Sequence, residues 1–129
     1  MKSELMILAQ VTTLTALMWL PYALNRMVVW GLVDTVGYPK EQKPLSPWAQ
    51  RLKAAHANAV ENLVLFAALV LAAHALGIST PMTALACTIY LWGRVVHVIA
   101  YTVGLPWVRT LGFAAGFAAQ MMLAAQILG

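Results

Sequence analysis

The chain reads Arg51-Leu-Lys-Ala-Ala-His-Ala-Asn-Ala-Val-Glu-Asn62 and then continues into Leu63–Leu76, where every residue except His74 is apolar. Charged and amide side chains are thus built into a segment whose hydropathy predicts a membrane-spanning helix. One face of that helix, roughly 100° wide, collects the polar residues Arg51, Asn58, Glu61 and Asn62. A charge inside a bilayer is costly and persists only with a partner or a wet cavity, so this face predicts a functional site.

The composition is typical of an integral membrane protein. Of the 129 residues, 62% are hydrophobic and only 9% are charged, and the mean hydropathy is +0.78. A soluble domain of this length would carry far more charge. We therefore predict an all-α fold, an integral membrane four-helix bundle that forms a single domain over residues 1–129. The lipid bilayer is its expected surrounding.

The net charge of +4 does not indicate a nucleic-acid-binding protein. The basic residues lie beside the ends of the apolar segments and in one loop, and no basic patch with interleaved aromatic residues is present. The single Cys87 excludes an intrachain disulfide. No His, Cys, Asp and Glu residues occur at metal-ligand spacing, so we expect no metal.

Apolar segments and helix-start signals predict spans at about 4–30, 47–76, 81–103 and 106–128. Pro21 lies inside the first span and is expected to kink it. The polar segment from Gly31 to Pro47 is rich in Gly and Pro and predicts the only long loop. Ser46-Pro47 and Thr80-Pro81 each combine a capping residue with a proline at the first helical position. The remaining turns are very short, so the helices that they join must be antiparallel.

The distribution of Lys and Arg predicts the orientation. Basic residues cluster around the first loop and just beyond the third, whereas the second loop carries none. The positive-inside rule places loops one and three in the cytoplasm and both termini outside. Four spans, a high alanine content and no recognisable targeting sequence suggest a bacterial inner membrane.

The third span carries a polar stripe, formed by Cys87, Tyr90, Arg94, His97 and Tyr101 at steps of three or four residues. Arg94 lies ten residues before Gly104, which is about 15 Å along a helix. Glu61 lies ten residues after Arg51, at about the same depth. Matching depth and opposite charge predict an ion pair between Glu61 and Arg94, within or between subunits.

Two interpretations of this polar cluster remain open. Buried polar side chains can simply join membrane helices to one another. Two arginines and two tyrosines near one end instead favour a ligand pocket, whose net positive charge suits an anion with several acceptor atoms. Arg26, near the end of the first span, either extends to the headgroups or contacts an anionic ligand.

The fourth span contributes Gly112-x-x-x-Gly116, which permits close backbone approach and is interpreted as packing. Arg109 lies at the start of that helix, where the helix dipole disfavours a cation, so its placement suggests contact with a headgroup or a ligand. Packing or capping is expected for His56, packing for Cys87 and an interfacial position for His74.

Two segments resemble motifs of the MAPEG family (membrane-associated proteins in eicosanoid and glutathione metabolism). Ala55-His-Ala-Asn-Ala-Val-Glu61 is similar to the second-helix motif of the family. Gly93-Arg-Val-Val-His-Val-Ile-Ala-Tyr101, followed by Gly104 and Arg109, is similar to its third-helix motif and the loop after it. The order and spacing of both motifs match, and the four-span layout matches over the whole chain.

The resemblance implies a homotrimer that binds glutathione between subunits, on the cytoplasmic side. Matching positions assign glutathione binding to Arg51, Asn58, Glu61, Arg94, His97 and Tyr101. The resemblance implies that Arg109 stabilises the glutathione thiolate for attack on an electrophile. In the eicosanoid enzymes of the family the second-helix motif reads Arg-Ala-His-Arg-Asn, whereas this chain has Ala54 and Ala57 at the two arginine positions. This departure predicts weaker glutathione binding or a different ligand.

The sequence therefore favours a glutathione-dependent transferase or peroxidase, with glutathione as co-substrate and a lipophilic electrophile as the second substrate. The alternative is a non-catalytic membrane protein of the same fold that binds a lipid or an anionic metabolite. A small multidrug exporter is disfavoured, because such exporters resemble one another in a carboxylate within the first span, and Leu5–Asn25 contains none.

Overall fold

The structure, a computed structural model, describes all residues from 1 to 129 and is entirely helical. Its helices are α1 (Lys2–Leu17), α2 (Trp19–Trp30), α3 (Leu32–Val36), α4 (Pro47–Ala75), α5 (Pro81–Val103) and α6 (Pro106–Leu128). Four segments are long and apolar enough to cross a membrane, namely α1 with α2, α4, α5 and α6. The prediction of an all-α bundle with four candidate spans is confirmed.

The first span is interrupted between α1 and α2. Proline has no amide hydrogen, so Pro21 cannot donate to the carbonyl of Leu17 as a normal helical residue would. The interruption lies at Met18, whose amide donates to the Thr15 carbonyl (3.3 Å) in a tighter turn. The helical hydrogen-bond pattern is therefore interrupted near the middle of the span, where the proline removes a hydrogen bond.

Local capping fixes both ends of α5. The Thr83 amide donates to Thr80 Oγ1 (3.1 Å), and the Thr80 amide donates to Thr83 Oγ1 (2.8 Å), so the helix begins with a reciprocal capping box. At the other end Gly104 adopts φ +86°, the left-handed conformation that terminates a helix. Only Leu105 then separates Gly104 from Pro106, the first residue of α6, so α5 and α6 run antiparallel.

The core lies among α1, α4, α5 and α6. Its central contact is between Tyr90 and Phe66, whose rings stack with centroids 3.8 Å apart and an interplanar angle of 3°. Cys87 is fully buried beside them and packs as a small hydrophobic residue, as predicted. The polar residues of α4 and α5 lie outside this core, toward the end of the bundle at which α4 begins.

Two glycines, Gly93 and Gly112, bring α5 and α6 into close backbone contact. A methyl group added at Gly112 would lie 2.8 Å from the Gly93 carbonyl oxygen and 2.9 Å from the His97 amide nitrogen. A methyl group at Gly116 would approach the Arg94 side chain no closer than 3.5 Å, an ordinary contact distance. Gly112 is thus required for the approach of the two helices, whereas a methyl group at Gly116 would fit without a clash.

Glu4 forms a buried polar cluster at the other end of the bundle, which the sequence had not indicated. Its side chain is only 2% exposed. Its Oε1 accepts hydrogen bonds from the hydroxyls of Thr83 and Ser79, each at 3.1 Å, and its Oε2 lies 3.4 Å from the N-terminal amine. This cluster joins the start of α1 to the start of α5.

We predict opposite outcomes for alanine at the two glycines of α6. Gly112→Ala forces α5 and α6 apart and should lower the free energy of unfolding by about 1–3 kcal/mol, the usual cost of overpacking. Gly116→Ala should unfold at the same temperature as the unmodified protein or slightly higher, because alanine favours a helix. Thermal unfolding in detergent checks both, and equal melting temperatures for the two variants would contradict the packing described here.

Candidate functional site

Most of the site residues predicted from the sequence line two adjoining cavities at one end of the bundle. The larger, of about 280 Å³, lies where α4 begins and α5 meets α6 and is lined by Arg51, Ala100, Tyr101, Gly104, Leu105, Pro106 and Arg109. The smaller, of about 160 Å³, is lined by Asn58, His97, Tyr101, Arg109, Thr110 and Phe113. Tyr101 and Arg109 border both, so the two cavities form one site.

Arg109 and Tyr101 stand together between the cavities. The guanidinium carbon of Arg109 lies 4.8 Å from the centroid of the Tyr101 ring, a cation–π contact. The very short α5–α6 turn enforces this proximity, because it brings the last turn of α5 beside the first turn of α6. The contact holds the cation at the cavity surface and leaves its hydrogen-bond donors free for a ligand.

Arg51 joins α4 to the last turn of α5. Its Nε donates to the Thr102 carbonyl (2.9 Å), one of the carbonyls that a helix end leaves without an amide partner. The guanidinium also packs against Gly104, since a methyl group there would lie 3.6 Å from its central carbon. Arg51 therefore both closes the end of α5 and adds positive charge to the larger cavity.

Arg94 lies behind the smaller cavity, in the interior of the bundle. Its side chain is only 4% exposed, and its Nη2 donates to Asn58 Oδ1 at 2.8 Å. Its Nη1 is buried without a hydrogen-bond partner. A buried guanidinium with one amide partner and no carboxylate leaves positive charge uncompensated.

His97 is the most enclosed residue that faces the smaller cavity. It is 2% exposed, and its ring meets that of Tyr101 edge to face at 5.6 Å. Phe113 lies on another side, with ring centroids 6.4 Å apart. The Nδ1 of His97 is buried and has no hydrogen-bond partner in the protein.

The predicted ion pair between Glu61 and Arg94 is wrong within one chain. Arg94 contacts Asn58 instead, and Glu61 lies on the exposed side of α4. The predicted depth of Arg94 was nearly right, because its partner Asn58 lies only three residues before Glu61. Two residues three apart on a helix nevertheless differ by about 60° in direction. Asn58 therefore faces α5 while Glu61, at the edge of the polar face, faces away from the bundle. An ion pair between subunits stays a prediction.

Several contributors were not predicted as site residues. Asn62 donates to Asn58 Oδ1 (3.2 Å), and Gln120 Nε2 donates to the Asn62 carbonyl (3.4 Å), which extends the polar interior to α6. Thr110 and Phe113 line the smaller cavity. Thr110 and Phe113 lie one and four residues after Arg109, at the start of the same helix. This spacing was the signal in the sequence that could have placed them beside Arg109.

The charge of the site is positive. Arg51 and Arg109 line it and Arg94 lies behind it, whereas no carboxylate lines either cavity. No group of three or more His, Cys, Asp or Glu side chains is placed to hold a metal ion. The arrangement suits an anion with several acceptor atoms.

Other residues that the sequence singled out lie outside the two cavities. His56 is occupied by a hydrogen bond between its Nδ1 and the hydroxyl of Tyr22 (2.6 Å), which joins α4 to α2. This agrees with the packing role predicted for it. Ala54 and Ala57 are exposed on α4 and bring no charge to the site.

Comparison with known proteins gives one assignment. No curated protein matches the chain. The model of the MAPEG family matches residues 8–129, nearly the whole chain. This agrees with the motifs in α4 and α5 and with the four apolar helices. The chain belongs to the MAPEG family of integral membrane proteins.

Proposed function

We propose that this protein is a glutathione-dependent membrane transferase or peroxidase that conjugates or reduces lipophilic electrophiles. The observation that carries the proposal is a cavity pair bordered by Arg51 and Arg109, with the uncompensated Arg94 behind it and no carboxylate in its lining. Each of the two cavities is smaller than a typical ligand site of about 300–1,000 Å³, but together they reach that range. Membership of the MAPEG family supports the same general chemistry.

Glutathione matches the polarity of this site. Its two carboxylates are suited to the guanidinium groups of Arg51 and Arg94, because charge-assisted hydrogen bonds to arginine are short and strong. His97 and Tyr101 both border the smaller cavity, where their polar groups can bond to its peptide groups or its amine. Asn58 positions Arg94 for this contact through the 2.8 Å bond between them.

Arg109 is proposed to act on the thiol. A nearby cation favours the thiolate, which is the nucleophile, and the thiol proton leaves to water. In conjugation the sulfur forms a bond to an electrophilic carbon while the bond to the leaving group breaks, and that group departs with the electron pair. In peroxide reduction the sulfur attacks a hydroperoxide oxygen, the O–O bond breaks and the alcohol leaves, and a second glutathione completes the disulfide and releases water.

A lipid-facing groove between α5 and α6 supports a lipophilic second substrate. The groove has a volume of about 390 Å³ and is lined by residues that include Trp92, Val96 and Leu111. It adjoins the close contact between Gly93 and Gly112. His97 on α5 and Arg109 on α6 each lie about one turn from that contact. An apolar molecule dissolved in the bilayer can therefore approach the helices that carry the thiol site.

Glu61 supports the proposed homotrimer. It is exposed in the single chain and lies among the exposed apolar residues Val60, Val64 and Leu65 of a membrane-spanning helix. A carboxylate in that setting is costly unless another group covers it. A second and third copy of the chain would cover this face, and glutathione bound between subunits would then meet residues of more than one chain.

The proposed placement has the site end of the bundle in the cytoplasm of a bacterial cell, at the inner membrane. α4 has 29 residues and a length of about 43 Å, which exceeds the roughly 30 Å of the hydrocarbon core. The first turns of α4, with Arg51 and Lys53, can thus extend into water. A water-soluble tripeptide would reach the cavities from that side.

We expect Arg109→Ala to abolish most of the activity without preventing folding. Loss of an electrostatic stabiliser at a reacting atom typically lowers turnover by about 10²-fold. Conjugation of glutathione to a chromogenic aryl halide by the purified protein measures the effect. Arg109→Lys should retain part of the rate, because it keeps the charge.

Lys40→Ala is the matched control for Arg109→Ala. Lys40 is an exposed cation of the long loop that borders neither cavity, and its replacement should leave turnover unchanged. Turnover that persists in Arg109→Ala at the level of the unmodified protein would refute the proposed role of Arg109.

We predict that Glu61→Leu weakens the trimer. If Glu61 faced lipid, removal of its charge would stabilise the protein, because a charge at bilayer depth costs about 2.5–3.5 kcal/mol. We instead expect Glu61→Leu to destabilise the trimer, so that the trimer dissociates at dilute protein concentration. Native mass spectrometry in detergent measures the fraction of trimer. Glu41→Leu, which removes a loop carboxylate, serves as the control.

An exchange of charges tests the intersubunit form of the predicted ion pair. Glu61→Arg combined with Arg94→Glu should restore the yield of folded trimer that each single change lowers.

A Glu61→Leu variant that remains trimeric and unfolds at a higher temperature would contradict the proposed interface.

The second candidate is a non-catalytic protein of the same fold that binds a lipid or an anionic metabolite. The absence of charge at Ala54 and Ala57 favours it, because each lost charged contact to a carboxylate costs about 1.5–3 kcal/mol. Glutathione binding without turnover, in the unmodified protein and in Arg109→Ala alike, would support this candidate over the enzyme.

A further inference from the structure

The largest cavity of the protein differs in its lining from the proposed glutathione site. It has a volume of about 670 Å³ and is bordered by the end of α2, by α3, by the long loop and by the start of α4. None of its lining residues borders the two cavities of the candidate functional site. The proposed glutathione site therefore does not account for it.

The walls of this cavity carry three cations and no carboxylate. The cations are Arg26, Lys43 and Lys53. The loop also contains Asp34 and Glu41, but neither lines the cavity, and the only ion pair of the chain joins the N-terminal amine to Glu4. The three positive charges thus face a common space with no internal counter-charge.

Hydrogen bonds hold the loop in place around the cavity. Asn25 Nδ2 donates to Ser46 Oγ (2.8 Å), and the Ser46 amide donates to Asn25 Oδ1 (3.0 Å). Trp30 Nε1 donates to the Lys43 carbonyl (2.7 Å). These contacts fix the loop to α2 and to the start of α4, so the cations are brought together by specific bonds.

Arg26 carries a donor for which the protein supplies no acceptor. Its guanidinium lies 5.0 Å from the centroid of the Trp30 ring, which orients it. Its Nε is buried and has no hydrogen-bond partner. A charged donor without an acceptor is costly to bury, and Arg26 borders the cavity, where an anion would offset its charge.

The neighbouring helix α3 has the surface expected of a segment at the level of lipid headgroups. α3 exposes Leu32, Val33 and Val36, the latter two by 84% and 80%, and Tyr38 follows fully exposed. An exposed apolar helix with a nearby aromatic residue, directly after a membrane span, is typical of a segment that lies in the interface. A headgroup phosphate would lie at the depth of the cations.

We propose that this cavity binds the phosphate group of an anionic phospholipid. Three unpaired cations would attract the phosphate, and the aromatic residues Trp30 and Tyr38 would contact the headgroup region. The exposed apolar residues of α3 would contact the acyl chains. The site is separate from the thiol chemistry and does not depend on the proposed function. Lipid bound there would hold the long loop against the membrane.

Native mass spectrometry of the full chain in detergent tests the proposal. Dioleoylphosphatidylglycerol and dioleoylphosphatidylcholine, which share acyl chains and differ in net charge, are the probes. We expect the unmodified protein to retain phosphatidylglycerol preferentially. Each cation removed should lower this preference roughly fivefold, since a basic residue at an anionic surface contributes about that factor.

Matched variants identify the cations responsible. Arg26→Gln with Lys53→Gln should abolish most of the preference, and Lys53→Gln alone, a change at an exposed side chain that leaves the fold intact, should lower it. Lys40→Gln removes a cation from the same loop that does not line the cavity, and it should leave the preference unchanged.

Three outcomes would overturn the proposal. The first is equal retention of the two lipids, and the second is a preference that is as strong in Lys53→Gln and in the double variant as in the unmodified protein. The third is displacement of phosphatidylglycerol by millimolar inorganic phosphate or glutathione, which would assign the cavity to a free anion. Resistance to both competitors supports a lipid site.

Discussion

The hydrogen bond from Arg94 to Asn58 anchors the polar interior of this bundle. It places a guanidinium, 4% exposed, about midway along a membrane-spanning helix, with one amide oxygen as partner and no carboxylate. The cost of burying that charge is high and is only partly offset by one hydrogen bond. Within the chain the charge of Arg94 thus stays uncompensated, and its Nη1 has no hydrogen-bond partner.

The close contact between α5 and α6 makes this arrangement possible. Gly93 and Gly112 remove side chains where the helices cross, so the backbones meet there and the polar stripe of α5 is directed toward α4. The short turn after Gly104 then places Arg109 beside Tyr101. Packing in the apolar part of the bundle thus determines the geometry of its polar end.

Much of this could be predicted from the sequence, because the strongest signals were local or periodic. The capping pair at Thr80 and Pro81 marks the start of α5, and steps of three or four residues collect Arg94, His97 and Tyr101 on one face. The partner of Arg94 could not be predicted, since depth along a helix does not give rotation about it. The buried Glu4 cluster was equally hidden, because it depends on which helix ends meet in space.

Equilibrium binding of labelled glutathione to the purified protein in lipid nanodiscs decides whether the cations at this end of the bundle form a site for the tripeptide. We expect saturable binding at or below millimolar concentration, competed by S-methylglutathione and weakened about tenfold or more in Arg51→Gln, which removes one charged contact. Absence of saturable binding at millimolar glutathione, or equal affinity in Arg51→Gln, would contradict the proposed site.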